Sequence, residues 1–177
     1  MKTRAKDLNE KSTWQEVTTG ILMKDYAEES GCQAESTMYR TMQNLKMLIS
    51  LLKLQVLRIA FPSITEETMA AAEKLLDKME AEPDCIVWRE RNILFHTLLY
   101  ESADRLMTLD HIAWLWQQVD RYIRLHLASM REESEAQHRA ILEAVRARDR
   151  GAALEALSQH LEKTSLELQN YMGNEEE

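Results

Sequence analysis

Helix-breaking residues are scarce in this sequence. It contains 4 glycines and 2 prolines among 177 residues, and β-branched residues are also sparse. Gly and Pro disfavour the interior of a helix, and β-branched residues favour strands, so their scarcity argues against a loop-rich or strand-rich fold. Leu, Ala, Glu, Met, Gln and Arg are abundant and are good helix formers. The composition therefore predicts an all-α protein.

Signals for secretion and for membrane insertion are also missing. Cys32 and Cys85 are the only cysteines and lie far apart, so they indicate no disulfide framework and suit a reducing compartment. No apolar run reaches the roughly 18 residues of a membrane helix. The N-terminal stretch MKTRAKDLNEKSTW is not followed by the apolar segment of a signal peptide. We expect a soluble, cytoplasmic protein with no membrane partner.

Positive charge is in deficit. The 22 Lys and Arg residues are outnumbered by 30 Asp and Glu residues, which gives a net charge of −8 and a pI near 5.2. Because binding to nucleic-acid phosphates requires a basic surface, the chain as a whole is not expected to bind nucleic acid.

The spacing of apolar residues and capping signals predicts an antiparallel bundle of about six to seven helices. Residues 1–35 read as an N-terminal extension with a polar tail and a short helix, and residues 173–177 as an acidic tail. The main domain is expected over residues 36–172. Its predicted helices span residues 36–61, 65–82, 83–101, 104–133, 135–147 and 152–172.

Two histidines are placed symmetrically about a predicted turn. His138 and His160 are 22 residues apart, and their midpoint, Asp149, falls in the predicted turn between Arg148 and Gly151. In an antiparallel helical hairpin, residues equidistant from the turn lie at the same height. Both histidines also share a helix face with apolar residues, as does His96 on an earlier helix. The three imidazoles are therefore expected to point into the bundle.

Three inward histidines on three helices predict a metal site. Imidazole binds zinc, nickel, copper and iron, and three such ligands leave a position open for water or an anion. Asn92, one turn before His96, could supply a fourth oxygen or orient a bound ligand. The alternative is that the three are core histidines, each hydrogen-bonded within the protein.

Two segments carry a family resemblance: NILFHTLLYES, beginning at Asn92, and QHRAILEAVRARDRGAALEALSQHLEKT, beginning at Gln137. Together they resemble the FCD domain, the C-terminal effector domain of the FadR branch of GntR bacterial transcription regulators. The upstream stretch LLKLQVLRIAFPSITEE resembles the first helix of that domain and the turn after it. The similarity covers roughly residues 36–170.

The resemblance implies a FadR C-terminal-like helical bundle that binds a small organic acid and forms a homodimer. In the family, the acid often binds through a divalent metal, here expected to be zinc, with nickel or manganese as alternatives. The implied ligands are Asn92, His96, His138 and His160. Further candidates for the effector pocket are His126 and Arg58. The implied role is effector sensing and dimerisation in transcription regulation.

The sequence departs from the family pattern in several places. Residues 1–35 contain no winged helix, so DNA would be bound only through a domain that this chain lacks. Ile49 and Lys53 stand where family members often have Arg and Glu. Asn92 replaces the commoner Asp, which lowers the negative charge of the site, and Gln137 replaces a Glu.

Two other functions are compatible with the histidines. A metal-dependent helical hydrolase would use an open metal position to activate water. The chain lacks the H-E-x-x-H arrangement that would supply an obvious general base, so we do not expect an enzyme. A metal-free structural dimerisation partner would instead keep all three histidines as core residues.

Overall fold

The all-α prediction is confirmed by a computed structural model of the chain. The backbone is described for residues 31–173, and side chains are described for residues 40–120 and 131–166. The predicted N-terminal helix and most of the predicted acidic tail lie outside the described residues. The described backbone forms five α-helices, α1 to α5 in chain order: Gly31–Ala60, Glu66–Glu80, Cys85–Tyr100, Leu106–Arg146 and Arg150–Gly173. Short 3-10 turns at Phe61–Ser63 and Glu101–Ala103 follow α1 and α3.

Three of these helices begin at a polar capping residue. Thr65, Asp84 and Asp149 directly precede α2, α3 and α5. The side-chain oxygen of each accepts a hydrogen bond from a backbone N–H two or three residues further on, at 3.2, 2.7 and 2.9 Å respectively. Such caps satisfy amide groups that the helix itself leaves unpaired. The predicted cap at Thr65 is confirmed.

Helix α4 is longer than the sequence pattern predicts. The expected break near residue 133 is not present, and one helix of 41 residues runs from Leu106 to Arg146. Neither Gly nor Pro occurs in this segment, so nothing in its backbone chemistry stops the helix. The polar run that suggested a break is stabilised within the helix, because Arg131 and Glu135 form an i,i+4 ion pair at 2.8 Å.

Helices α3, α4 and α5 supply much of the core in the described part of the chain. The large side chains there that are at most 2% exposed include Trp88, Phe95, Leu99, Ile141, Leu142 and Leu157. Burial of a large apolar side chain contributes about 1.5–3 kcal/mol each. No helix in the described segments is both long and apolar enough to cross a membrane.

The chain divides into two compact units after Met42. The described part of the first unit is the beginning of α1. The second unit starts at Gln43 and contains the rest of α1 and helices α2 to α5. Every site residue discussed below belongs to this second unit.

Candidate metal centre

Helix α3 presents an amide and an imidazole to the interior. Its buried face carries Trp88, Asn92, Phe95, His96 and Leu99, at the three- and four-residue spacing of one helical face. Asn92 is 8% exposed and His96 is 4% exposed. Both polar groups are therefore held among apolar side chains, where they need partners.

The hairpin of α4 and α5 brings the second and third histidines together. The connecting turn consists of residues 147–149, and Arg148 in it adopts a left-handed backbone conformation with φ of 55°. The guanidinium of Arg148 donates a hydrogen bond to the carbonyl of Ile64 at 2.7 Å, which anchors the turn to the segment before α2. The rings of His138 and His160 lie level, with centroids 4.6 Å apart. The juxtaposition predicted from the turn is confirmed.

The three imidazoles form one buried cluster. The ring centroid of His96 lies 5.1 Å from that of His138 and 5.2 Å from that of His160. Each ring offers one nitrogen such that the three nitrogens lie within 4.8 Å of one another. Three nitrogens bound to one zinc ion would lie about 3.4 Å apart, given Zn–N bonds of about 2.1 Å and tetrahedral angles. The three nitrogens are therefore grouped closely enough that they could hold one ion.

Several polar atoms of this cluster have no hydrogen-bond partner. Among the described side chains, the buried unpaired atoms include Oδ1 of Asn92, Nε2 of His96 and both ring nitrogens of His138. Leaving a buried polar group unpaired costs about 1–3 kcal/mol, and native interiors contain few such groups. Four at one point indicate a site built for a further group. A metal ion fits, because Oδ1 of Asn92, Nε2 of His96 and one of the two nitrogens of neutral His138 can each offer it a lone pair.

Two residues orient the imidazoles. The Nδ1–H of His160 donates a hydrogen bond to Oε1 of Gln137 at 2.8 Å, which places the free lone pair on Nε2. The hydroxyl of Tyr100 lies 3.4 Å from Nδ1 of His96. Histidines that bind metals usually use their second nitrogen in this way, and the contact with Gln137 fixes both the tautomer and the orientation of the His160 ring. The sequence marked Gln137 only as a departure from the family and did not single out Tyr100.

The three histidines are held in their neutral form. Burial lowers the pKa of His96 and His138 well below the usual range, and lowers that of His160 to about 3. The positive charge of Lys53 lowers the pKa of all three further. Because a metal binds the neutral imidazole, these rings are ready to act as ligands at neutral pH without releasing protons.

Family comparison agrees with the architecture. The sequence model of the FCD domain matches residues 47–163, which is most of the chain and includes all three histidines. The chain belongs to the FCD domain family. No curated protein is significantly similar to this FCD domain.

Two solved structures share the fold of this FCD domain. E. coli McbR/YncC matches with a TM-score of 0.69 and 18% identity, over 75% of this chain and 69% of that chain. A GntR-family transcriptional regulator from Pseudomonas syringae pv. tomato str. DC3000 matches with a TM-score of 0.67 and 22% identity, over 77% of this chain and 59% of that chain. At these identities the likeness establishes a shared all-α fold.

The two further candidates for the effector pocket are not brought to the cluster by any described contact. Arg58 lies on α1 and is exposed. The side chain of His126, within α4, lies outside the described residues. A role for either residue stays a prediction.

Lys53 is a charged residue in the interior of the FCD domain that the sequence pattern did not assign to the site. It is 5% exposed, and its ammonium lies 4.3 Å from the ring centroid of Trp116 on α4. Burial lowers the pKa of Lys53 to about 8. The side chain is therefore still mostly charged at pH 7. A largely buried ion pair, Arg89 with Asp120, joins α3 to α4.

Proposed function

We propose that this FCD domain senses a small carboxylate, which binds at a divalent transition metal held by His96, His138 and His160. Asn92 would complete or buttress the site through Oδ1. The observation that supports this most strongly is the cluster of buried, neutral imidazoles and unpaired polar atoms. Zinc is the first choice of metal, with nickel or manganese as alternatives. When bound, the metal would supply a positive charge and an open coordination position for a carboxylate oxygen.

The proposed sensing role is that of a regulator subunit. Ligand binding would favour one of two conformations of the helical bundle, and a dimer would pass the difference to a DNA-binding domain. The hydrolase alternative gains no support from the site. Among the described side chains, the hydrogen-bond partners of these histidines are Tyr100 and Gln137, and neither is a carboxylate.

Thermal stability tests the proposed sensing. A panel of small carboxylates, added with and without zinc, is expected to raise the melting temperature by several degrees only when zinc is also present. The reason is that a ligand at 100 times its Kd stabilises the native state by about 2.7 kcal/mol. Scanning fluorimetry provides the measurement. Stabilisation by carboxylates to the same extent with zinc and with a chelator would contradict the metal-mediated model.

We further propose that the domain forms a homodimer through the exposed side of α1. Met47, Leu48 and Leu51 are 55%, 43% and 58% exposed, whereas Ile49 and Val56 on the same helix are buried. A group of exposed large apolar side chains on one helix favours association with another protein surface. The family's dimeric regulators make a second copy of this chain the natural partner.

The substitution Leu51→Glu is expected to convert the dimer into a monomer. Burying a carboxylate without a partner in an apolar interface weakens association by far more than about tenfold. Light scattering after gel filtration would show a change from twice 20.7 kDa to 20.7 kDa. Leu94→Glu is the matched control, because Leu94 is 52% exposed on α3. A wild-type monomer, or equal dissociation by both variants, would contradict this interface.

A further inference from the structure

The ring of His138 is oriented differently from the other two imidazoles. Among the described side chains, neither of its nitrogens has a hydrogen-bond partner. Its ring packs instead against Phe95 and Trp88, whose ring centroids lie 5.0 and 6.4 Å from its own. A metal ligand keeps its orientation through the packing and the hydrogen bonds of its neighbours. Whatever fixes the rings of Phe95 and Trp88 therefore also fixes His138.

The indole of Trp88 is fixed by a carboxylate on the helix that carries His138. The Nε1–H of Trp88 donates a hydrogen bond to Oε1 of Glu135 at 2.8 Å. Glu135 lies on α4, three residues before His138, and its side chain is 19% exposed. A hydrogen bond to a charged acceptor is shorter and stronger than one between neutral groups. Glu135 thus holds the indole that packs against His138.

Arg131 extends this contact to the end of α2. Its Nε–H donates to the same Oε1 of Glu135 at 2.8 Å, and its Nη2 donates to the carbonyls of Met79 and Glu80 at 3.0 and 3.2 Å. The last carbonyls of a helix lack the regular helical donors. A glycine in the left-handed conformation often closes such an end, but Ala81 follows α2 with a φ of −84°. Arg131 supplies donors there in its place.

Together these hydrogen bonds hold the connection between α2 and α3 against α4. Residues 81–84 form the connection. Arg131 contacts the backbone just before it, and Glu135 contacts Trp88 in the first turn of α3 just after it. Helix ends open and close locally in native proteins, and opening here would release the guanidinium that pairs with Glu135. The end of α2 therefore has a closed and an open state, and the closed state supports the packing of His138.

We infer that Glu135 is a positioning residue for the metal centre and that Arg131 couples this centre to the C-terminal end of α2. The inference rests on the proposed function. A metal bound to His138 would restrain its ring, and with it the indole of Trp88, in the place where both hydrogen bonds to Glu135 form. Metal binding would therefore favour the closed end of α2. The closed end would favour metal binding to the same extent, because coupling between two sites is reciprocal.

Zinc affinity, measured in competition with a chelating dye, tests the positioning role. Glu135→Met removes the acceptor of both hydrogen bonds and is expected to weaken zinc binding by about three- to tenfold. Glu135→Gln keeps an oxygen that can accept from the indole, so it should weaken binding by less than about threefold. Arg146→Met is the matched control, because it removes a different ion pair between α4 and α2, with Glu73. It should bind zinc as the wild type does.

Hydrogen exchange followed by mass spectrometry tests the coupling. Backbone amides of residues 79–84 report on the end of α2, and those of residues 69–74 in the same helix report any general stabilisation. In the wild type, zinc is expected to slow exchange at the end of α2 by at least about threefold more than in residues 69–74. Arg131→Met and Glu135→Met should lose this difference, whereas Arg146→Met should keep it.

The outcomes separate this inference from the proposed function. If zinc binds to the wild type but does not slow exchange selectively at the end of α2, the inference is wrong and the metal centre stands. The same holds if Glu135→Met binds zinc as tightly as the wild type, or if Arg146→Met loses as much as Glu135→Met. If the wild type does not bind zinc, both fail. The exchange measurement on the wild type decides the coupling even where a variant does not fold.

Discussion

Replacing His138 with leucine is expected to make the metal-free domain more stable and to remove its stabilisation by zinc. Both ring nitrogens of His138 are buried without partners, and the ring packs against Phe95 with centroids 5.0 Å apart. A leucine of similar volume would remove unpaired polar atoms that cost about 1–3 kcal/mol each. We expect the free energy of unfolding without metal to rise by about 1–3 kcal/mol.

The same substitution removes one of three metal ligands. Altering a residue that only orients a ligand costs about 10–100-fold in metal affinity, and losing a ligand should exceed that. Urea denaturation with and without zinc measures both effects in one experiment. His111→Leu is the control, since His111 is exposed on the same helix and should change neither quantity strongly. A metal-free His138→Leu protein clearly less stable than wild type would contradict the assigned role.

The stability of the metal-free domain is expected to fall as the pH falls below 6.5. Burial is the largest cause that lowers the pKa of His96, His138 and His160 in the folded protein, and the charge of Lys53 lowers all three further. In the unfolded chain each histidine has a pKa near 6.5 and takes up a proton below it. The unfolded state then binds more protons, so the free energy of unfolding decreases as pH decreases.

The pKa values of the folded and unfolded states set the pH range over which the free energy of unfolding falls. The contribution is fully present above about pH 6.5 and is lost progressively towards the folded pKa, which is about 3 for His160. Each histidine contributes up to about 1.4 kcal/mol per pH unit, so three approach about 4 kcal/mol per unit. Urea titrations between pH 5 and 7 measure the slope. His138→Leu should reduce it by about a third, and an unchanged slope would contradict burial of this ring as a neutral imidazole.

The register of the α4–α5 hairpin could be predicted from sequence because it depends on local chemistry. A polar turn at Asp149 fixes the pairing of two helices, and the pairing fixes which residues are level. His138 and His160 were predicted to be level for this reason, and their ring centroids are 4.6 Å apart. The contact of His96 with these two histidines could also be predicted, because His96 lies on an apolar helix face that points into the bundle.

The environment of Lys53 could not be predicted in the same way. Helix α1 is apolar nearly all round, so its sequence does not show which side faces the core. The answer depends on packing against α4, where Trp116 meets the Lys53 ammonium. The contact by which Gln137 orients His160 was not predicted for a similar reason. The two residues are 23 positions apart and lie on different helices, so the contact depends on how α4 packs against α5.

The break predicted near residue 133 shows the limit of reading polar runs as turns. Charged residues between two apolar stripes can mark a turn or a solvated stretch of one helix. In α4 the pair Arg131–Glu135 forms inside the helix, and the carbonyls of Met79 and Glu80 accept hydrogen bonds from the same guanidinium. These contacts with the end of α2 stabilise a continuous helix at the point where the local sequence pattern predicted a break.

Metal content of untagged protein tests the central claim most directly. Purified wild-type protein and the His138→Leu variant are incubated with zinc, and unbound metal is removed by gel filtration. The zinc that each protein retains is then measured by elemental mass spectrometry. Three buried imidazoles around one point predict about one equivalent of zinc per chain in the wild type and less than about a tenth in the variant. Wild-type protein that retains no more zinc than the variant would contradict the metal centre.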